Sequence, residues 1–164
     1  MALTVEDGTG KADAESYAAI TDANTYHAAL GQAAWAALSD AAKEQALRKA
    51  TAFIDWRFRF YGEKRTAEQA LAWPRVGATD YGWLVDDATI PVKLKRAVAE
   101  AALLSVTSEL TPNGAPDGAV LSETVDVLSV TYAPGQAGAV RFRSVEALLA
   151  GLAQSSNVVR VLRS

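Results

Sequence analysis

The sequence predicts a mainly α protein: a small helical bundle with a short β-strand or hairpin excursion and extended N- and C-terminal tails. Three observations lead there. Alanine supplies 34 of the 164 residues, and alanine is the strongest helix former. Apolar residues recur at three- and four-residue spacing in two long stretches, around Ala46–Arg57 and Leu94–Ser105. A single stretch, Thr124–Tyr132 (TVDVLSVTY), changes to a β-like period. A chain of this length forms one domain with its own core. Alanine buries little area, so that core is thin.

The layout expected over residues 1–164 is an arm (1–16), a helical body (17–110), a β segment (119–133), a C-terminal helix (144–153) and a tail (157–164). In the arm, Leu3 and Val5 alternate before Gly8 and Gly10 break the pattern. Thr21 is placed to cap a first helix over Asp22–Leu30, with Asp22 in the first turn and Gly31 as its stop. Ser39 caps a second helix over Asp40–Arg59. Ala46, Ala50, Phe53 and Ile54 form its buried stripe, leaving Lys43, Glu44, Arg48 and Lys49 on the wet side. Gly62 ends that segment.

Thr66 caps a third, short helical run (TAEQALAWPR), with Glu68 and Gln69 near its first turn. Pro74 excludes the α region for Trp73, so the run stops there. The Trp73–Pro74–Arg75 corner fixes a bulky indole, with a guanidinium two residues later. It is either a core plug or a docking surface. Val76–Thr89 is a loop rich in Gly, Asp and aromatics. Pro91 opens the next helix, about Val92–Leu110, whose apolar face is Leu94, Val98, Ala101, Ala102 and Ser105. Thr111–Gly118 is a linker, and Val125, Val127, Leu128 and Val130 carry the β signal. After the Ala133–Gly138 loop, Ser144 caps a last helix over Val145–Ala153, and Asn157–Ser164 mixes polar residues with β formers.

The formal charge is −3, so the chain as a whole is no polyanion binder, but the charge is unevenly placed. Residues 1–47 hold seven acids against Lys11 and Lys43, whereas residues 134–164 hold four arginines against Glu146 alone. Opposite charge at the two ends either suits head-to-tail contact between copies or is a random surface imbalance. There are no cysteines, hence no disulfide, thiolate nucleophile or Cys-ligated metal. No apolar run reaches membrane-spanning length, and the first residues lack a signal-peptide apolar core. The expected protein is soluble, is made in the cytoplasm and touches no membrane.

Catalytic chemistry is not legible. His27 is the one histidine, and a lone histidine on a helix is ordinarily packed or at the surface. No Ser-His-Asp set can be assigned. Asp86–Asp87 admits a two-carboxylate metal or acid–base site, but a solvated loop, or a dipole partner for the helix after Pro91, is the favoured reading. No catalytic, cofactor-binding or metal residues are therefore expected. One stretch invites a nucleic-acid reading: Trp56–Arg65 (WRFRFYGEKR) interleaves Arg57, Arg59, Lys64 and Arg65 with Trp56, Phe58, Phe60 and Tyr61. Cations plus aromatics hold single strands by phosphate contact and base stacking. The competing reading is a helix end with core aromatics and snorkelling cations. It is preferred, because nothing extends the patch into a basic track.

The opening MALTVEDGTGKADAESYAAITDANTY, the middle EQALAWPR and the helix start IPVKLKRAVAEAAL resemble the head–tail connector, or adaptor (head-completion), proteins of tailed phages. Related sequences often carry the label of DnaT-like single-stranded-DNA-binding proteins. The similarity covers the first two thirds and continues more weakly through LSETVDVLSVTYA. It implies a structural virion protein in the neck: a homo-oligomeric ring, a dodecamer, under the portal protein, bound to a tail or stopper protein, with genomic DNA only passing through. The matching positions are Ala72, Trp73, Pro74 and Arg75 with Ile90 and Pro91. The resemblance gives the tail a docking role on the portal or a neighbouring copy, through Val158, Val159, Arg160, Val161, Leu162 and Arg163; such a segment can add a strand to an exposed sheet edge. The alternative is a DnaT-like single-stranded-DNA-binding protein, with Arg57, Arg59, Lys64 and Arg65 as its patch.

Overall fold

A computed structural model describes residues 2–108, 110, 122–125, 128–131 and 142–155. In chain order these form α1 (Ile20–Ala29), α2 (Ala33–Ala36), α3 (Asp40–Arg57), β1 (Phe58–Phe60), β2 (Glu63–Lys64), β3 (Arg75–Val76), β4 (Thr79–Asp80), β5 (Trp83–Leu84), α4 (Val92–Thr107), β6 (Ser122–Val125), β7 (Leu128–Thr131), α5 (Arg143–Leu149) and β8 (Ala153–Ser155). The result is a mixed small fold: five helices and several short strands among the described residues. Two compact units are present, Met1–Leu110 with Arg143–Ser164, and Thr111–Phe142. The linker 111–118, the loop 133–138 and the tail 157–164, with its candidate docking residues Val158–Arg163, lie outside the described residues.

In the first unit, α4 packs against α1, α3 and α5. Leu47, Ala50 and Ile54 of α3 face a buried set on α4, Leu94, Ala97, Val98, Ala101 and Ala102. Three of those five are alanines, which let helix backbones approach closely. Val145 and Leu149 of α5 and the following Leu152 are fully buried and close this core. In the second unit, β6 and β7 pair antiparallel from Ser122↔Thr131 to Val125↔Leu128, where the β signal fell in the sequence.

Several expectations are corrected. The α3 cap is Ser39 as expected, its Oγ accepting from Ala42 N at 3.3 Å. Yet α3 stops at Arg57, and Phe58 turns extended (φ −117°, ψ 140°) to begin β1. The β-prone FRF triplet ends the helix two residues early. The first helix is capped at Ala19 rather than Thr21: the Asp22 carboxylate reaches back to accept from Ala19 N at 3.2 Å. Lys43 is not wet; it is buried with its ammonium 5.9 Å from the Trp35 ring centroid, a cation–π contact. Around Thr66 the reciprocal cap forms without a helix. Thr66 Oγ1 accepts from Gln69 N and Gln69 Oε1 accepts from Thr66 N, but Gln69 Nε2 then donates to Leu71 O and Pro74 O. The amide side chain folds the segment into a turn, and the Trp73–Pro74 peptide within it is cis. Ala153, expected at the end of the last helix, instead starts β8.

The N-terminal arm is a closed loop, not an extended tail. Glu6 N donates to Ser16 O at 2.9 Å and Glu15 N to Thr4 O at 2.8 Å, while Val5 bridges Ser16. Its acids are spent within the chain: Asp7 pairs with Lys11 at 2.9 Å, Glu15 with Arg48 at 2.9 Å, and Asp22 of α1 with Lys95 at 3.2 Å. The acid surplus read as a contact for a neighbouring copy is thus largely satisfied internally.

His27 is buried, as a packed histidine. Its Nε2 lies 3.0 Å from Ala99 O, and its ring lies against Trp35 at 4.8 Å. Nε2–H donates in the neutral form, and buried Nδ1 has no partner among the described residues. Protonation would add a donor with nowhere to point. Burial pushes the imidazole below its ordinary value of 6.5, outweighing the Ala99 carbonyl and Glu100, which act the other way. The unfolded chain therefore takes up this proton first as pH falls. The histidine's contribution is complete above about 6.5 and is lost progressively below it. The urea midpoint should fall between pH 7 and pH 5, and His27→Gln should flatten that slope; an unchanged slope would place the titration elsewhere.

Candidate nucleic-acid interface

The last turns of α3 and strand β1 carry the basic–aromatic stretch. On α3, Gln45, Lys49, Ala52 and Trp56 are all exposed. Their spacing of four, three and four residues puts them on one stripe of the helix. Trp56 is 68% exposed. In β1 the side chains alternate: Phe58 and Phe60 are buried, Arg59 is out. Burying the two phenyl rings is what sets this register, and it leaves Arg59 facing solvent. The strand is held by antiparallel pairing with β8, Arg59 opposite Gln154, and by Tyr61 N donating to Leu152 O at 3.1 Å. Trp56, Arg59 and Tyr61 thus follow one another along one edge, with Lys49 two turns back on α3.

The four expected cations separate. Arg57 is buried and ion-paired with Glu146 of α5 at 3.6 Å. Arg65 is a clasp: its Nη1 donates to Gly8 O at 2.9 Å and to Asp87 O at 3.2 Å. Lys64 is exposed but its Nζ donates to Gln69 O at 3.3 Å. Only Arg59 of the four has no hydrogen-bond or ion-pair partner among the described residues. Lys49, which is likewise unpaired among the described residues, belongs with it. The signal was present in the sequence, since Lys49 stands seven residues before Trp56, two helical turns on the same face.

The Trp73–Pro74–Arg75 corner is structural. Trp73 has 0% exposure and meets Phe60 edge-to-face at 5.9 Å. Arg75 donates to three backbone carbonyls, Tyr61 O at 2.7 Å, Ala72 O at 3.0 Å and Gly62 O. Beneath the corner, Asp55 accepts from Tyr17 Oη at 2.6 Å and from Ala72 N at 2.9 Å, and Tyr17 Oη accepts from Trp73 N at 3.1 Å. Burial raises both the Asp55 carboxyl and the Tyr17 phenol above their ordinary values. This network locks the floor under β1 and so fixes the angle at which Arg59 and Tyr61 are presented.

The 76–89 segment, expected as a loop, contains the β4–β5 hairpin. Thr79 pairs with Leu84 and Asp80 with Trp83. Tyr81 (φ 48°) and Gly82 (φ 90°) both lie in the left-handed region, the signature of a type I′ turn. The Tyr-Gly pair was the available signal, obscured because Tyr is an unusual residue at positive φ. Of the acidic pair, Asp86 is used in a local turn, accepting from Ala88 N at 2.8 Å and Thr89 Oγ1 at 3.2 Å. Among the described residues no cluster of three or more His, Cys, Asp or Glu is arranged to hold a metal ion. No described helix is long and apolar enough to cross a membrane.

These features describe a small mixed scaffold with exposed aromatics and, among the described residues, unpaired cations along one edge. The chain belongs to the family described as "Putative DnaT-like ssDNA binding protein", whose sequence model matches residues 1–164. No curated protein and no solved structure matches it. The family match corrects the head–tail adaptor assignment: it spans the chain and carries the DnaT-like description, not an adaptor one. The virion-neck role, the portal and tail or stopper partners, the dodecameric ring and the merely passing DNA are withdrawn with it. The internal pairing of several N-terminal acids also weakens the head-to-tail charge argument.

Proposed function

We propose that this chain binds single-stranded DNA along the α3–β1 edge and performs no covalent chemistry of its own. The observation that carries the reading is Trp56, an exposed indole near Lys49 and Arg59, which have no partner among the described residues. Bases stack on the ring while the two cations meet phosphates. Family membership supports the same reading, because the family is described by single-stranded-DNA binding. Few free cations line this edge, and the chain's formal charge is −3, so stacking supplies most of the affinity and phosphate contact little. Base stacking tolerates any sequence, so little base preference is expected, and duplex DNA, with its bases already stacked, should bind poorly.

Anisotropy titration of fluorescent oligo(dT) at several salt concentrations tests this. Trp56→Ala should weaken binding by about 1–3 kcal/mol, the contribution of one stacked base. Arg59→Gln should weaken it less and make the salt slope shallower by about 0.7, the value of one phosphate contact on a single strand. Arg65→Gln should leave the slope unchanged, since that guanidinium is occupied by Gly8 and Asp87 carbonyls. Absence of single-strand binding by the unaltered chain at low salt would overturn the proposal.

A further inference from the structure

The β4–β5 hairpin stands out because its aromatics are almost wholly uncovered: Trp83 is 82% exposed and Tyr81 70%. Neither ring stacks on another ring among the described residues. At that exposure the Trp83 indole is available to a planar ligand. The support beneath is a tight turn and one ion pair. The two-residue I′ turn matches the twist of the strands it joins. Lys93, in the first turn of α4, pairs with Asp80 at 2.6 Å and sets its ammonium 4.8 Å from the Tyr81 ring centroid. One lysine thus anchors both the carboxylate and the ring at the hairpin tip.

The hairpin also adjoins the edge described above. Asp80 and the Tyr81 ring lie directly over Gly151, where any Cβ would collide with both. The next residue, Leu152, accepts the hydrogen bond from Tyr61 N. Gly151 therefore seats the hairpin two residues before β8, next to the residue that Tyr61 bonds. From Trp56 through Arg59 and Tyr61 to Tyr81 and Trp83, exposed aromatics and a guanidinium follow one another across neighbouring backbone.

We infer that Tyr81 and Trp83 form a second stacking station for the same single strand, taking unpaired bases that lie beyond those on Trp56. This rests on the proposed single-strand binding. The occupant is nucleic acid rather than protein for a geometric reason. Successive strand residues point to opposite faces, so Trp83 and the exposed Leu84 do not join into one apolar patch. Charge near the tip is balanced by the Lys93–Asp80 pair, and Asp86 and Asp87 are close in sequence. The hairpin therefore contributes base stacking and not phosphate attraction.

The test uses the full chain with oligo(dT) and two readouts, anisotropy of the labelled strand and intrinsic tryptophan emission. Trp35 and Trp73 are buried, so quenching on binding reports Trp56 and Trp83. In a Trp56→Phe variant, which keeps a stacking ring, oligo(dT) should still quench the emission, and the signal then belongs to Trp83. Trp83→Ala should weaken binding about tenfold, from the loss of one stacked base. Tyr81→Asn should weaken it severalfold, because asparagine accepts the left-handed turn while removing the ring. Leu84→Ala, on the other face, should leave the affinity unchanged. Unaltered affinity in Trp83→Ala and Tyr81→Asn, with Trp56→Ala impaired, would overturn this inference and leave the proposed function standing. A shift in oligomeric state by sedimentation for Trp83→Ala, with affinity intact, would overturn it in favour of a contact between copies. Failure of the unaltered chain to bind would overturn both.

Discussion

Trp73→Ala should lower the unfolding free energy by about 3–5 kcal/mol, the cost of emptying a large aromatic site in a core. The ring has 0% exposure, abuts Phe60, and sits in a segment with no helix to hold it. What fixes the backbone there is side-chain chemistry: Tyr17 Oη on Trp73 N, Asp55 on Ala72 N, Gln69 on Leu71 O and Pro74 O, and Arg75 on three carbonyls. A cavity at Trp73 would remove the body those groups surround. Trp73→Phe makes an informative contrast. The indole Nε1–H is buried without an acceptor among the described residues. Phenylalanine gives up volume but also removes that unsatisfied donor, so it should cost less than about 2 kcal/mol. Urea unfolding followed by circular dichroism measures both. A small loss for Trp73→Ala would mean that the indole is not a packing element.

Much of the helical framework was legible because it depends on local rules. Ser39 as a cap, the stripe Ala46–Ala50–Phe53–Ile54 and the apolar face of α4 are matters of spacing and of one side-chain oxygen. The strands of the first unit were not legible, for a physical reason. β1 exists because Phe58 and Phe60 find buried positions opposite β8, nearly a hundred residues later. A window around FRF contains no trace of that partner, so helical periodicity appeared to run on. The same limit governs the candidate site. Arg57, Arg59, Lys64 and Arg65 look alike in sequence, yet Glu146, Gly8, Asp87 and Gln69 engage three of them and leave Arg59 open. Which cation is free is decided by long-range contacts. Trp56 and Trp73 present the same problem, one indole in solvent and one in the core, seventeen residues apart. The hairpin was hidden differently: its turn places a tyrosine where glycine or asparagine is the usual marker.

Glu6→Ala should be nearly as damaging, about 3 kcal/mol or more, although it removes no large apolar group. Glu6 is 1% exposed, and its carboxylate accepts from Gly8 N at 2.9 Å, Gly10 N at 3.0 Å and Lys11 N at 2.8 Å. The loop is therefore wound around an internal anion, and alanine would strand three donors, each costing about 1–3 kcal/mol where water cannot reach it. The loop is also a junction. Gly8 packs so closely on the Ala88 carbonyl that a Cβ could not fit, Arg65 bonds Gly8 O, and Lys11 O accepts from Ala70 N at 2.9 Å. Unwinding residues 7–11 would loosen the turns at 66–73 and 86–89 together. Glu6→Gln separates shape from charge. Its carbonyl can keep the Gly8 and Gly10 donors, but its NH2 group would then face Lys11 N donor to donor, so roughly half the loss should remain. Asp7, exposed on the same loop, should matter far less. Amide hydrogen exchange at Gly8, Gly10 and Lys11 gives the decisive comparison. Strong protection in the unaltered chain, lost in Glu6→Ala without global unfolding, is the expected result; fast exchange in both would show that the carboxylate does not organise the loop.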